Sequence, residues 1–191
     1  SSEVDDTSTT WAGTIPAGGY GAPGASGVKM TIDYARYYAP PTSLFWAGSN
    51  SLVWNNSGNW IANMPVTSTS DVVFSFLSGN NLATVLGNDL TIDSLTVLEM
   101  NNALSVSGNT LTIGAGGMDT TSANHSVNLN SVINLGAAQT WQIGSAFPVN
   151  VNSNLTGSAS LTKANAGTLN LNASNSFTGS LYVDSNASGI L

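Results

Sequence analysis

The stretch Leu161–Gly179, LTKANAGTLNLNASNSFTG, decides how the rest of the chain is interpreted. It holds two short runs, Leu161–Lys163 and Leu169–Leu171, which are separated and followed by Gly, Asn, Ala and Ser. Alternation of side chains with a period of two, interrupted by small turn-forming residues, is typical of short strands with one buried face. The stretch therefore predicts short β-strands joined by tight bends.

The same pattern recurs upstream, from Asp71 onwards, with equivalent apolar positions at an interval of roughly 20–23 residues. Such a period gives about three strands per turn of a coil, in which each strand pairs with its counterpart one turn away. We therefore predict an all-β, three-faced parallel β-helix, right-handed because parallel crossovers strongly prefer that hand. The two series of equivalent positions are Leu90, Leu111, Ile133 and Leu155, and Leu104, Val127, Val149 and Leu169.

Asparagine is frequent at or near the predicted bends, for example at Asn130, Asn150, Asn152 and Asn172. Asparagine tolerates left-handed backbone geometry, and stacked asparagine side chains can form hydrogen bonds along the axis of a coil. We therefore interpret their abundance as structural.

Composition excludes several classes of partner. The formal net charge is -7, and the chain has only three basic residues, Lys29, Arg36 and Lys163. Binding to nucleic acid or another polyanion requires clustered Lys and Arg, so we expect no nucleic-acid partner. The chain lacks cysteine, which removes disulfides and thiolate metal sites, and no apolar run approaches bilayer length, so we expect no membrane insertion.

The segment Met30–Pro40, MTIDYARYYAP, resembles the last strand of glycoside hydrolase family 16 and related concanavalin A-like jelly rolls. The resemblance implies that residues 1–40 are the C-terminal remnant of a hydrolase-like or lectin-like domain, or a linker, and that residues 41–191 form the repeat module. The family's catalytic Glu-x-Asp-x-x-Glu pattern is not completed here, because Ser8 stands where a third acid would follow Glu3 and Asp5. We therefore expect no catalysis by this chain, although the full-length protein is a candidate glycoside hydrolase.

Three tryptophans, Trp46, Trp54 and Trp60, lie in a segment that resembles the opening of many bacterial autotransporter-associated β-repeat proteins. One interpretation is an N-terminal cap, because large aromatic rings cover the open end of an apolar core with few residues. The other is a platform whose ring faces stack on sugars. Both interpretations remain open from the sequence.

The stretch Leu161–Gly179 also resembles the passenger-associated repeat of autotransporters, whose consensus runs like L-x-K-x-G-x-G-T-L-x-L-x-G-x-N-x-Y-x-G. The resemblance implies a β-helical architecture and export to the bacterial cell surface or beyond, and it assigns no chemistry. The matching residues are Leu161, Lys163, Gly167, Thr168, Leu169, Leu171, Asn175 and Gly179, whereas Asn165 and Ala173 replace glycines and Phe177 takes the aromatic position.

Few residues are candidates for chemistry. His125 has no neighbouring acid or second histidine, which favours a surface or bend position. Asp89 and Asp93 are too isolated to form the stacked acidic face that a β-helix enzyme needs. We expect no cofactor, with calcium at Asp71 or Asp33 as an open alternative.

Two functions follow as hypotheses. The first is a non-catalytic carbohydrate-binding module of a secreted or cell-surface protein that degrades polysaccharides, with Trp54, Trp60, Trp141 and Tyr38 as stacking residues. A neutral or weakly charged polysaccharide is favoured because the chain is acidic. The alternative is a stalk, a surface-display unit or a self-assembling adhesive module that associates through the ends of the β-helix. Exposure of the aromatic rings distinguishes the two hypotheses.

Overall fold

A computed structural model describes residues 42–79, 81–144 and 146–184. These residues form an all-β parallel solenoid of about five turns, and every pairing between its strands is parallel. Three short 3-10 helices lie near the N-terminal end, at Ser57–Asn59, Ile61–Asn63 and Phe76–Ser78. The strands are β1 (Ser43–Phe45), β2 (Asp71–Phe74), β3 (Ala83–Val85), β4 (Leu90–Val97), β5 (Leu104–Ser107), β6 (Thr110–Asp119), β7 (Val127–Leu129), β8 (Val132–Leu135), β9 (Gln139–Gln142), β10 (Val149–Val151), β11 (Leu155–Thr156), β12 (Leu161–Ala164), β13 (Leu169–Leu171) and β14 (Leu181–Val183).

The strands form two sheets. The large sheet joins β1, β2, β4, β6, β9, β12 and β14 in that order, and it also contains β8 and β11. The small sheet joins β13, β10, β7, β5 and β3. Strand β6 pairs with β8 through its first half and with β9 through its second half, so one long strand occupies two positions of the coil. The chain alternates between the two sheets as it ascends the solenoid.

The pairing register confirms the repeat that the sequence predicts. In the large sheet, Leu111 lies between Leu90 and Ile133, and Ile133 pairs with Leu155. The second predicted series is likewise a row of paired residues across the small sheet. The handedness of the coil and its three-faced cross-section stay predictions.

The inward-facing residues form one continuous apolar core, because alternate side chains of every strand point to the same side. In the large sheet, one inward row contains a large aromatic residue and ends in a buried lysine. The paired residues of this row are Leu44, Val72, Leu95, Met118, Trp141 and Lys163.

Two strands were not predicted from the sequence, β1 and β3. The inward residue of β3 is Thr84, which is fully buried and donates its hydroxyl hydrogen to the carbonyl oxygen of Ser105 at 2.8 Å. A buried polar residue whose hydrogen bond is satisfied interrupts the apolar pattern on which the prediction rests. The segment Met30–Pro40 lies outside the described residues, and the domain boundary at residue 40 stays a prediction.

Within the part of the chain that the structure describes, no helix is long and apolar enough to cross a bilayer.

Candidate functional site

Trp46, Trp54 and Trp60 form a buried aromatic cluster. Trp46 and Trp60 pack edge to face with ring centroids 4.9 Å apart, and Trp54 packs on Trp60 in the same way at 5.6 Å. Phe74 contacts Trp46 and Trp54 from the first turns of the core. All three indoles are at most 2% exposed. The cluster is therefore continuous with the core and adds its packing to that of the solenoid.

Asn59 positions the loop that carries these rings. Its side-chain oxygen accepts hydrogen bonds from the backbone N–H groups of Asn50 and Ser51, and its amide group donates to Ser51 Oγ and to the carbonyl of Val53. Asn59 is fully buried, and these four bonds satisfy the hydrogen-bonding groups of its side-chain amide. The sequence does not assign this role to Asn59, because composition does not distinguish a buried asparagine from one in a turn.

Trp141 lies inside the solenoid, between Met118 and Lys163 in the inward row. Its Nε1 donates a hydrogen bond of 2.8 Å to Oε1 of Gln139, which is itself buried. The alternation along β9 contains the signal for this position, because Trp141 shares its strand face with the buried Ile143.

The structure does not bring the four predicted stacking residues together on a surface. Trp54, Trp60 and Trp141 have no exposed ring face on which a pyranose could stack, because their rings complete the apolar core. Tyr38 lies outside the described residues. The sequence left open whether the N-terminal aromatic residues form a cap or a sugar-stacking platform. Burial of Trp54 and Trp60 favours the cap, and Trp141 is a core residue.

Asparagine ladders run along the small sheet. Nδ2 of Asn150 donates to Oδ1 of Asn128 at 2.9 Å, and Nδ2 of Asn170 donates to Oδ1 of Asn150 at 2.7 Å. A parallel ladder joins Asn130, Asn152 and Asn172 through bonds of 2.9 and 2.8 Å. The predicted stacking of asparagines is therefore present. The first ladder lies in the middle of strands β7, β10 and β13 rather than at bends, because the outward position of each strand holds the asparagine.

The acidic side chains bond to neighbouring turns. Oδ1 of Asp89 accepts from the backbone N–H of Thr110, and Oδ1 of Asp93 accepts from that of Gly116. Asp71 accepts a hydrogen bond of 2.7 Å from the Ser94 hydroxyl. Among residues 42–79, 81–144 and 146–184, no three His, Cys, Asp or Glu side chains form a group that could hold a metal ion. Asp33, the other calcium candidate, lies outside these ranges.

His125 packs against an aromatic ring instead of an acid. Its ring stacks on Phe147 with centroids 6.0 Å apart, and its Nδ1 lies 3.0 Å from Oδ1 of Asn124. Phe147 remains more than one third exposed.

Lys163 is the only lysine or arginine among the described ranges, and its side chain is buried at the end of the inward row. Its Nζ donates a hydrogen bond of 2.5 Å to the carbonyl oxygen of Asn165. Desolvation by burial lowers the pKa of the amine from its ordinary value of 10.5. The outer surface of the described residues therefore carries carboxylates and no lysine or arginine.

An open cleft of about 320 Å³ lies on the outward side of the large sheet, over β6, β9 and β12. Its floor consists of small residues, and its polar residues carry hydroxyl and amide groups. The sequence does not single out any of these residues, because Thr and Ser are common along the whole chain. The lining residues are Ala115, Gly116, Ala138, Gln139, Thr140, Gln142, Ser160 and Thr162.

Comparisons of the chain with protein-family models, with curated proteins and with solved structures gave no match, so the parallel β-solenoid is the level at which its architecture is identified.

Proposed function

We propose that residues 42–184 act as a rigid structural module, a stalk or display unit that spaces other parts of an exported protein. The observation that carries this proposal is the burial of Trp54, Trp60 and Trp141 in one core with the strands of every turn. Large aromatic rings used as core and cap strengthen the solenoid, whereas rings used for binding would need an open face.

The hydrogen bonds between turns support the same proposal. The side chains of the asparagine ladders bond from one turn to the next, and Thr84 and Ser107 add bonds between side chains and the backbone of the neighbouring turn. Each turn contacts mainly its neighbours, so the length of such a module grows with the number of turns while its cross-section is unchanged. This is the property that a spacer requires.

The finer identity of the module follows from the sequence resemblance. We propose a right-handed coil with three faces, related to the passenger-associated repeats of bacterial autotransporters and located at the cell surface or outside the cell. A preceding domain of the glycoside hydrolase family 16 type, ending near residue 40, belongs to the same proposal. Its support is the segment Met30–Pro40.

A one-turn duplication tests the spacer. Because Ile133 pairs with Leu155, a copy of residues 133–154 inserted before Leu155 adds a complete turn in register. The chain has no cysteine, so spin labels can be placed at Ser68→Cys and Thr178→Cys, both at exposed positions. We expect the distance between the labels to increase by about 4.8 Å with an equally narrow distribution. A scrambled insert of the same length is the control. A broadened or unchanged distance would contradict a rigid, extendable spacer.

Carbohydrate binding is the second candidate function. The observation that favours it is the outer surface, where hydroxyl and amide groups occur without any lysine or arginine among the described residues. Such a surface suits neutral sugars and repels polyanions. The module itself remains proposed as non-catalytic and free of a cofactor.

Self-association through the ends of the solenoid is a further proposal for the structural module. Strands β13 and β14 end the two sheets, and among the described residues each pairs on one side only. An unpaired strand edge is a template for another strand. Sedimentation velocity across a hundredfold range of concentration tests this proposal, and a single monomeric species throughout would overturn it.

A further inference from the structure

We propose that the cleft over β6, β9 and β12, extended by Tyr182, binds a neutral polysaccharide chain. The inference rests on the second candidate function and supplies the site that the buried tryptophans do not provide. Its support is a row of outward residues, their unused hydrogen-bonding groups and the charge around them.

The strand register places the outward residues in a row. Thr140 pairs with Thr162, and Thr162 pairs with Tyr182. Adjacent strands are about 4.8 Å apart, so the two hydroxyls and the aromatic ring follow one another across neighbouring strands. Tyr182 is 56% exposed, and its position on β14 puts it beside the end of the cleft that Thr162 lines. An exposed ring beside a polar cleft can stack on the C–H face of a sugar.

The polar side chains of the cleft are not engaged with the protein. Thr140, Gln142, Ser160 and Thr162 form no side-chain hydrogen bond with any described residue. The asparagine ladders of the small sheet differ, because their amides already bond to one another. The hydroxyl and amide groups of the cleft are therefore free to bond to the hydroxyls of a sugar, and binding displaces water without breaking a hydrogen bond within the protein.

The floor of the cleft permits close approach. Gly116, Ala115 and Ala138 line the cleft together with the polar residues and carry no side chain longer than a methyl group. The cleft is open to solvent, which suits a polymer chain better than an enclosed small molecule.

Charge selects a neutral ligand. Asp119 pairs with Gln142 beside the cleft, and no lysine or arginine of the described ranges is exposed. An anionic polymer would meet a carboxylate and no compensating cation. We therefore assign a neutral polysaccharide as the occupant, with hydroxyls bound by Thr140, Thr162 and Gln142 and one ring stacked on Tyr182.

Affinity electrophoresis of the full chain tests the site. The probes are soluble β-glucan, xylan, galactomannan and, as the anionic probe, alginate. The variants are Tyr182→Ala, Tyr182→Phe, and Thr140→Val with Thr162→Val. Matched controls are Phe76→Ala, which removes an aromatic ring that is 69% exposed away from the cleft, and Thr91→Val, an exposed strand threonine. Circular dichroism and urea unfolding verify that each variant is folded.

We expect one neutral polysaccharide to retard the protein. Tyr182→Ala should weaken the affinity at least about tenfold and the threonine pair about fivefold or more, whereas Tyr182→Phe and both controls stay within twofold. Binding that all folded variants retain would overturn the cleft as the site and leave carbohydrate binding in place. Retardation by no neutral polysaccharide would overturn the site and the second candidate function together. Preference for alginate would overturn the assigned ligand class, and the spacer proposal is independent of all three outcomes.

Discussion

Trp60 donates a hydrogen bond of 2.7 Å from its indole Nε1 to the backbone carbonyl of Trp54, while the indole N–H of Trp54 is itself buried without an acceptor among the described residues. The two rings pack edge to face. The indole N–H of Trp60 thus has a hydrogen-bond acceptor, whereas burial of the Trp54 N–H costs desolvation free energy that no hydrogen bond offsets.

This asymmetry predicts different costs for the same substitution. Trp54→Phe removes a buried donor that has no partner, whereas Trp60→Phe removes a donor and leaves the Trp54 carbonyl without it. Both variants lose similar packing, so we expect Trp60→Phe to be more destabilising than Trp54→Phe by about 1–2 kcal/mol. Urea unfolding followed by circular dichroism measures both free energies. Equal losses, or a larger loss for Trp54→Phe, would contradict the prediction.

Lys163 predicts a pH-dependent difference between the wild type and Lys163→Met. Burial lowers the pKa of the amine in the folded state below 10.5. Between the folded pKa and 10.5 the unfolded chain binds more protons, so the wild type gains stability as pH rises through that window. Below the folded pKa the full cost of the buried charge is present.

Methionine has a similar length and no charge, and the Asn165 carbonyl that loses its donor belongs to an exposed residue. We expect Lys163→Met to be at least as stable as the wild type at about pH 7. Its advantage should shrink as pH rises towards 10.5. Urea unfolding of both proteins between about pH 7 and 10 measures the difference in unfolding free energy. The contributions of all other titrating groups are the same in both proteins and cancel in this difference. A difference in stability that does not change with pH would contradict the lowered pKa of the Lys163 amine.

The asparagine ladder predicts a dependence on position. Asn150 both donates to Asn128 and accepts from Asn170, whereas Asn170 makes only the one bond to Asn150 within its ladder. Asn150→Ala should therefore cost about 1–2 kcal/mol of unfolding free energy, and Asn170→Ala about half as much. Chemical denaturation compares the two variants. A reversed order would mean that the ladder does not determine their contributions.

At Gly117, we expect that close contact between turns, more than backbone conformation, determines the cost of replacing glycine. Gly117 and Gly79 both have positive φ angles, of 67° and 57°. A Cβ at Gly117 would overlap the backbone oxygen of Thr140 on the next turn, whereas a Cβ at Gly79 would meet no atom within 4 Å. Gly79→Ala should cost about 1–3 kcal/mol through backbone strain alone. Gly117→Ala should cost clearly more, as measured by thermal and urea unfolding, and similar costs would contradict the argument.

The position of Trp141 shows where reasoning from the sequence stops. The alternation of β9 places Gln139, Trp141 and Ile143 on one strand face, and burial of Ile143 decides that the face is inward. The sequence contains the periodicity, but tryptophan is common both in cores and at sugar-binding surfaces. Choosing between these positions requires the neighbouring turns.

The sequence by itself determined the repeat, because period-two alternation and recurring apolar residues follow directly from how side chains leave a strand. It predicted which residues pair from one turn to the next, including the row through Leu111 and Ile133. Tertiary structure alone decided that Trp54, Trp60 and Trp141 are buried and that Thr140, Thr162 and Tyr182 form one outward row. The physical reason is that burial and free hydrogen-bonding groups depend on residues one turn away, about 20–23 positions distant in the chain, and not on their neighbours in sequence.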